Sequence, residues 1–362
     1  MGTSSVGKPR EAWVDAAKGI AIILVVFLHA TFDDFSAIPD WKWLGYFSTL
    51  ETFRMPLFFF TAGIFSSRAL AKTLPRLIDD RLFRLIWLYL LWSTIGVFAA
   101  QLFPFVAETG APGWWPLPLM IIQPNPATWF IYALIVYFLV AWCIRRLPVW
   151  LQLTGAAVLS LLFHAEVIWF GSSEWTKVGE YFFFFLLAVF LGPRLVAIVP
   201  RIRMPTLFIA PAVYAVLTLA ARRFGWEGTL PMWFTLSSLS ILAGCSAAIL
   251  LTHVPGFGWL VKLGSRTLPV YLQHFYVLAL AYYLLSLIPV FPSVLVPFVI
   301  PALTAIAIPT SLLSYRLIGR VPGLFDRPAW LHLPRPAQGT PPSASEPQQS
   351  QEPQQEVGEP QP

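Results

Sequence analysis

Lys18, His29, Glu51, Arg54 and His274 all fall inside strongly apolar runs, where a charge or an imidazole is costly to keep. Ionisable groups inside a bilayer are function candidates by default. Lys18 and His29 are eleven residues apart. On a helix that is within about 20° of three full turns, with an axial rise of about 16 Å. The pair therefore shares a face and could line one path, with the bland alternative that Lys18 snorkels from a helix end and His29 is an interfacial polar residue. Glu51 and Arg54 are same-face neighbours three residues apart. A carboxylate there could hold an imidazole tautomer and raise its basicity, while the guanidinium could neutralise an oxyanion or bind a sugar oxygen. Equally, the two could simply pair with each other. Arg81-Leu-Phe-Arg84 sets two guanidiniums one turn apart, a spacing that can hold phosphates bidentately. Together with Arg68, Lys72 and Arg76, the same residues could instead set topology or meet anionic lipid.

These groups must be positioned by membrane helices. The chain has 362 residues, 57% hydrophobic, 16% aromatic and 12% charged, which excludes a water-soluble surface. A bilayer core about 30 Å thick needs about 20 largely apolar helical residues. Ten segments meet that test, at about 14–32, 43–67, 82–103, 127–144, 147–163, 178–196, 205–222, 229–252, 267–288 and 293–315. The expected fold class is all-α, a polytopic integral membrane protein of about ten transmembrane helices. The first apolar run contains Asp15 and Lys18 and no small-residue cleavage site, so it reads as a retained helix rather than a signal peptide. Cys143 and Cys245, the two cysteines, both sit in apolar runs, which leaves no disulfide framework or cysteine metal cluster. No metal site is expected.

The formal charge is +6 overall and +10 for residues 1–335. Nineteen of the 24 Lys and Arg fall in inner loops if both termini are cytoplasmic, which is the orientation the positive-inside asymmetry selects. No basic-aromatic recognition motif accompanies the charge, so nucleic acid is not an expected partner. Residues 1–12 read as a cytoplasmic N-terminus, 13–320 as the transmembrane domain and 321–362 as a cytoplasmic tail. From about 334 the tail turns to Pro, Gln, Ser and Glu, a composition that cannot offset the entropy of ordering. No internal repeat is visible and no appended soluble catalytic domain is expected, so the chemistry belongs among the helices.

Four stretches then resemble the membrane acyltransferase-3 family, and within it the fucose-4-O-acetylase-like branch. Trp13-Val-Asp15-Ala-Ala-Lys18-Gly19 with Ile20 to His29 looks like the family's basic residue, ten residues, then His in helix one. Phe53-Arg54-Met55-Pro56-Leu57-Phe58-Phe59-Phe60-Thr61-Ala62-Gly63 resembles its Met-Pro-Leu-Phe-Phe and small-residue-Gly signature. Arg81-Leu-Phe-Arg84 is similar to its Arg-x-x-Arg, and Leu263-Gly264-Ser265 through Tyr271-Leu272-Gln273-His274 to its late Leu-Gly, Tyr and His segment. Thr128-Trp129-Phe130 adds to the match. Lys18 stands where much of the family has Arg, which keeps the charge but not the planar fork; Lys is common in the fucose-acetylase-like branch.

What the resemblance implies is transfer of an acetyl or short acyl group from cytoplasmic acetyl-CoA, as co-substrate, to a sugar hydroxyl of an envelope or exported glycan. His29 would be the general base, Glu51 its orienting carboxylate and Arg54 the oxyanion donor. Arg81 and Arg84 would hold donor phosphates while Lys18 lines the donor route, with Asp15, Trp129, Tyr271 and His274 on the substrate side. Expected partners are a glycan or glycolipid acceptor, membrane lipids and glycan-assembly proteins, in a bacterial inner membrane. The rival class is a carrier or flippase for a glycan, lipid or organic acid, whose path the same residues would line. A third is a membrane sensor or scaffold, for which His29 is dispensable.

Overall fold

The computed structural model describes residues 11–31, 50–103, 106, 113–288 and 292–331. Among them every regular element is helical. The long helices are α1 (Ala12–His29), α2 (Glu51–Gly63), α3 (Phe83–Leu102), α4 (Trp129–Ile144), α5 (Val149–His164), α6 (Ser173–Ile198), α7 (Ile209–Phe224) and α8 (Leu230–Thr252). The short α9 (Gly258–Gly264) then leads into α10 (Thr267–Ser286) and α11 (Val296–Ile318). Each of the ten apolar segments expected from sequence overlaps one of these helices. Among the described residues seven stretches are long and apolar enough to cross a membrane, and α4 and α5 are shorter apolar helices of 16 residues. The protein is an all-helical integral membrane protein. Most of the expected N-terminus, the first residues of the second expected span and the tail from 332 lie outside the described residues.

Helix α1 is the hub. It packs against α2, α8, α9, α10 and α11, while α2 is flanked by α6 and α8. The helices α5 and α7 lie outside this group, against α6 and α8 respectively. Burial follows the same order: 56% of the best apolar window of α1 is buried, against 22% for the stretch that contains α7, so α1 is protein-facing and α7 faces lipid. In lipid there is little hydrophobic drive between helices, so close backbone approach has to supply the packing. The tightest case is Gly264, where an added Cβ would stand 1.6 Å from the Asp15 carbonyl oxygen. The Leu-Gly step of the late motif is thus where α9 presses on the start of α1.

Two local departures from the expected spans bear on the site. The sixth span begins earlier than 178: the Ser172 hydroxyl accepts from the Trp175 backbone N–H at 3.2 Å, caps α6 and brings Glu174 and Lys177 onto the helix. The third span is entered through a π-helical turn, Ile78–Leu82, after the short helix Leu74–Leu77. A π turn is wider than an α turn, so Arg81 and Arg84 no longer have the relation that a continuous α-helix would give them.

Candidate active site

Two cavities share part of their wall. One, of about 730 Å³, is lined by Lys18, Arg84, Arg266, Arg316 and Arg320, with no acidic side chain among its lining residues. The other, of about 300 Å³, is lined by His29, Glu51, Arg54, Trp129, Glu174 and Lys177. Phe58, Phe130 and Tyr271 line both. Phe58 and Phe130 stack with centroids 4.4 Å apart, Tyr271 lies 5.6 Å from Phe130, and the Phe130 backbone N–H donates to the Tyr271 hydroxyl at 3.3 Å. A single aromatic layer therefore separates a cationic cavity from a histidine cavity. Lys18 and His29, on one face of α1, fall on opposite sides of it.

His29 closes α1, and its Nδ1 lies 2.8 Å from the Val25 carbonyl oxygen. That acceptor requires Nδ1 to carry the proton, which makes Nε2 the basic nitrogen. The expected task of Glu51, fixing the tautomer, is thus performed by the helix's own carbonyl; Glu51 is exposed on the cavity wall. Behind His29 stands His274, 2% exposed, with its ring edge-on at 4.9 Å between centroids and 75° between planes. It uses the same device, Nδ1 to the Val270 carbonyl at 3.0 Å, and its Nε2 is buried with no hydrogen-bond partner among the described residues. His274 is not among the residues lining either cavity.

Arg54 is 6% exposed, and its Nη1 is buried without a hydrogen-bond partner among the described residues. A guanidinium nitrogen left unpaired against a cavity is a donor waiting for an acceptor, because burying it unmatched costs free energy. Lys177 pairs with Glu174 at 3.8 Å and lies 5.7 Å from the centre of the Trp129 ring. The wall thus combines an aromatic face, two carboxylates and two cations.

The remaining expected residues divide. Asp15 is buried and forms an ion pair with Lys18 at 3.8 Å, which holds the cation near the start of α1. Arg84 lines the cationic cavity, whereas Arg81 is exposed in the π turn and does not. Trp129 and Tyr271 are both wall residues. Sequence reasoning missed Glu174, Lys177 and Tyr181, the last also a lining residue of the histidine cavity, and it counted Arg266, Arg316 and Arg320 only among the inner-loop charges. The Glu174-x-x-Lys177 pair at the head of an apolar run was the available signal for the first two; Tyr181 carried none.

A family model described as "Acyltransferase domain", Acyl_transf_3, matches residues 11–316. The chain belongs to this acyltransferase family. Its matched stretch holds every cavity residue named above except Arg320. Among its relatives is Inner membrane protein YcfT of Escherichia coli (strain K12), 22% identical over 300 residues, covering 74% of this chain and 79% of that protein. Nodulation protein NolL of Mesorhizobium japonicum is 30% identical over 158 residues, 42% of this chain and 41% of that protein. No solved structure matches. Within that stretch, His29 and Arg54 stand together on the wall of one cavity.

Proposed function

We propose that this acyltransferase is an O-acetyltransferase of the fucose-4-O-acetylase-like kind, moving an acetyl or short acyl group from cytoplasmic acyl-CoA to a sugar hydroxyl of an envelope or exported glycan. The observation that carries the reading is the pair of back-to-back cavities, one built for polyanions and one for a base with its substrate, divided by one aromatic layer. Ten crossings with both termini cytoplasmic would put the cationic cavity on the cytoplasmic side, and the relative named as an inner membrane protein supports a bacterial inner membrane.

The residues fit a phosphate-rich donor, since Lys18, Arg84, Arg266, Arg316 and Arg320 converge without a lining carboxylate. Acyl-CoA bound there supplies the activated acyl thioester. His29 Nε2 takes the proton of the acceptor hydroxyl, and the Val25 carbonyl keeps Nδ1–H in place as the ring becomes cationic. Arg54 Nη1 holds the negative charge that develops on the acyl oxygen. His29 then returns its proton to the leaving sulfur. Trp129 offers an apolar sugar face its platform, and Glu51 and Glu174 accept from sugar hydroxyls. Phe58, Phe130 and Tyr271 keep water from joining the two cavities.

The test is transfer of label from acetyl-CoA to the glycan fraction in membranes holding the wild-type protein or His29→Ala. Label that reaches glycan only with intact His29 is the expected result. Substrate flux without CoA turnover would instead establish the carrier reading, and full transfer by His29→Ala would remove His29 from the mechanism.

A further inference from the structure

The chain beyond α11 does not leave the bundle. Residues 319–331 run back along the start of α3, past the end of the stretch matched by the family. The Trp87 indole N–H donates to the Gly323 carbonyl at 2.6 Å and that of Trp92 to the Leu324 carbonyl at 2.8 Å. Gly323 has φ +85°, a left-handed turn that favours glycine, and this presents both carbonyls to the indoles. Phe325 is buried, 5.4 Å from Trp92 and 4.9 Å from Tyr315 between ring centroids. Arg327 donates through Nη1 to the Asp79 carboxylate at 2.7 Å and to the Asp79 carbonyl. Asp79 belongs to the π turn, where carbonyls bond five residues on rather than four. Arg327 thus ties the strap to the π turn.

This strap reaches the cationic cavity. Gly319, Arg320 and Phe325 are part of its wall, and Asp326 forms an ion pair with Arg84, its Oδ1 3.0 Å from Nε. Arg84 and Asp326 side chains are 45% and 68% exposed. An ion pair so exposed contributes about 0–1 kcal/mol to stability, so its consequence is geometric. The carboxylate sits on the Nε side of the guanidinium and draws it toward the strap, which leaves the two Nη nitrogens as donors for an anion.

We propose that the strap is a constituent of the cationic site, and that Asp326 is a positioning residue that orients Arg84 toward the phosphates of a nucleoside-polyphosphate thioester. The proposal rests on the donor-site reading above for the identity of the ligand. The shared chemistry is phosphate, which a soluble donor or an anionic lipid headgroup could each supply.

Two physical effects oppose each other at Asp326, and their sign decides the matter. If the carboxylate acted only through its charge, removing it would make the site more positive and tighten polyanion binding. If it orients Arg84, removing it weakens binding. Binding of CoA to the full chain in phosphatidylcholine nanodiscs is measured by calorimetry for wild type, Asp326→Asn, Arg84→Gln and the double variant. A second arm repeats the titration with phosphatidylglycerol in the disc. The expected result is about fivefold weaker CoA binding in Asp326→Asn, the upper end of what an exposed ion pair contributes. Melting should be unchanged, and Asp326→Asn should add no further loss in the Arg84→Gln background.

Equal or tighter binding by Asp326→Asn overturns the positioning role while leaving the donor site intact. Phosphatidylglycerol that displaces CoA, with the displacement weakened in Asp326→Asn, supports the role with lipid as a second phosphate source. Wild-type protein that binds lipid phosphate but not CoA, still weakened by Asp326→Asn, upholds the role and refutes the donor-site reading. Binding of neither overturns both.

Discussion

Replacing Gly264 with Ala tests whether the crossing of α9 and α1 holds the donor side of the site in place. The added Cβ would stand 1.6 Å from the Asp15 carbonyl oxygen, 2.5 Å from its carbon and 2.9 Å from the Gly19 nitrogen, all backbone atoms. Relief to an ordinary contact requires the two segments to separate by about 2 Å, and no side chain can rotate to provide it. Overpacking costs about 1–3 kcal/mol in general; a clash wholly with backbone belongs at the upper end, about 3 kcal/mol. In a chain this long that lowers the melting midpoint by about 4 °C. The functional loss should exceed the stability loss, because α1 carries both Lys18 and His29 and a misplacement of about 1 Å can cost a hundredfold in rate. Gly155→Ala is the matched control. Nothing lies within 4 Å of its Cβ, and it sits inside α5, where Ala is preferred by about 0.5–1 kcal/mol, so its midpoint should hold or rise. The assay is thermal unfolding of detergent-purified protein alongside labelled-acetyl transfer in membranes. A Gly264→Ala protein that melts with wild type and transfers at the wild-type rate would refute the close crossing and the dependence of the site on it.

Two further substitutions separate the roles of the buried cationic and imidazole groups. His274→Phe keeps a ring of similar shape against His29 but removes the unpartnered Nε2; kcat should fall about tenfold with KM unchanged, and His274→Gln, which restores an acceptor, should recover part of it. Equal rates for the two variants in the transfer assay would limit His274 to packing. Arg54→Lys keeps the charge and loses the planar fork; kcat should fall about a hundredfold, the scale of one oxyanion donor, and an unchanged kcat would place Arg54 outside the reaction.

The helices were legible because a membrane makes them so. A window of about 20 apolar residues is a strong signal, and the expected 127–144 and 229–252 lie within two residues of Trp129–Ile144 and Leu230–Thr252. The shared face of Lys18 and His29 was legible too, since one helix obeys one period. What crossed between helices was not. Tyr271 meets Phe130 from 141 positions away, a contact no periodicity encodes. Glu174 and Lys177 were excluded because hydropathy starts the span where charge stops, whereas the Ser172 cap starts it a turn and a half earlier. Arg81 was grouped with Arg84 on α-helical spacing that the π turn does not keep. The strap had no regular pattern at all, being held by indole-to-carbonyl bonds and one guanidinium.

The division of labour follows from the same geometry. Lys18 and His29 are about 16 Å apart along α1, too far for one side chain to serve both phosphate binding and proton transfer. In the proposed reaction the two tasks fall to separate cavities, and what joins them has to pass Phe58, Phe130 and Tyr271. Aromatic rings suit that position. They stack well enough to exclude water when closed, and they open by rotating about χ1 and χ2 without moving a helix. Helix motion would be expensive here, because α1 is gripped by five neighbours and by the Gly264 contact. Under the proposed function, a rigid hub with a side-chain door would let an acyl group cross while the phosphates stay on their own side.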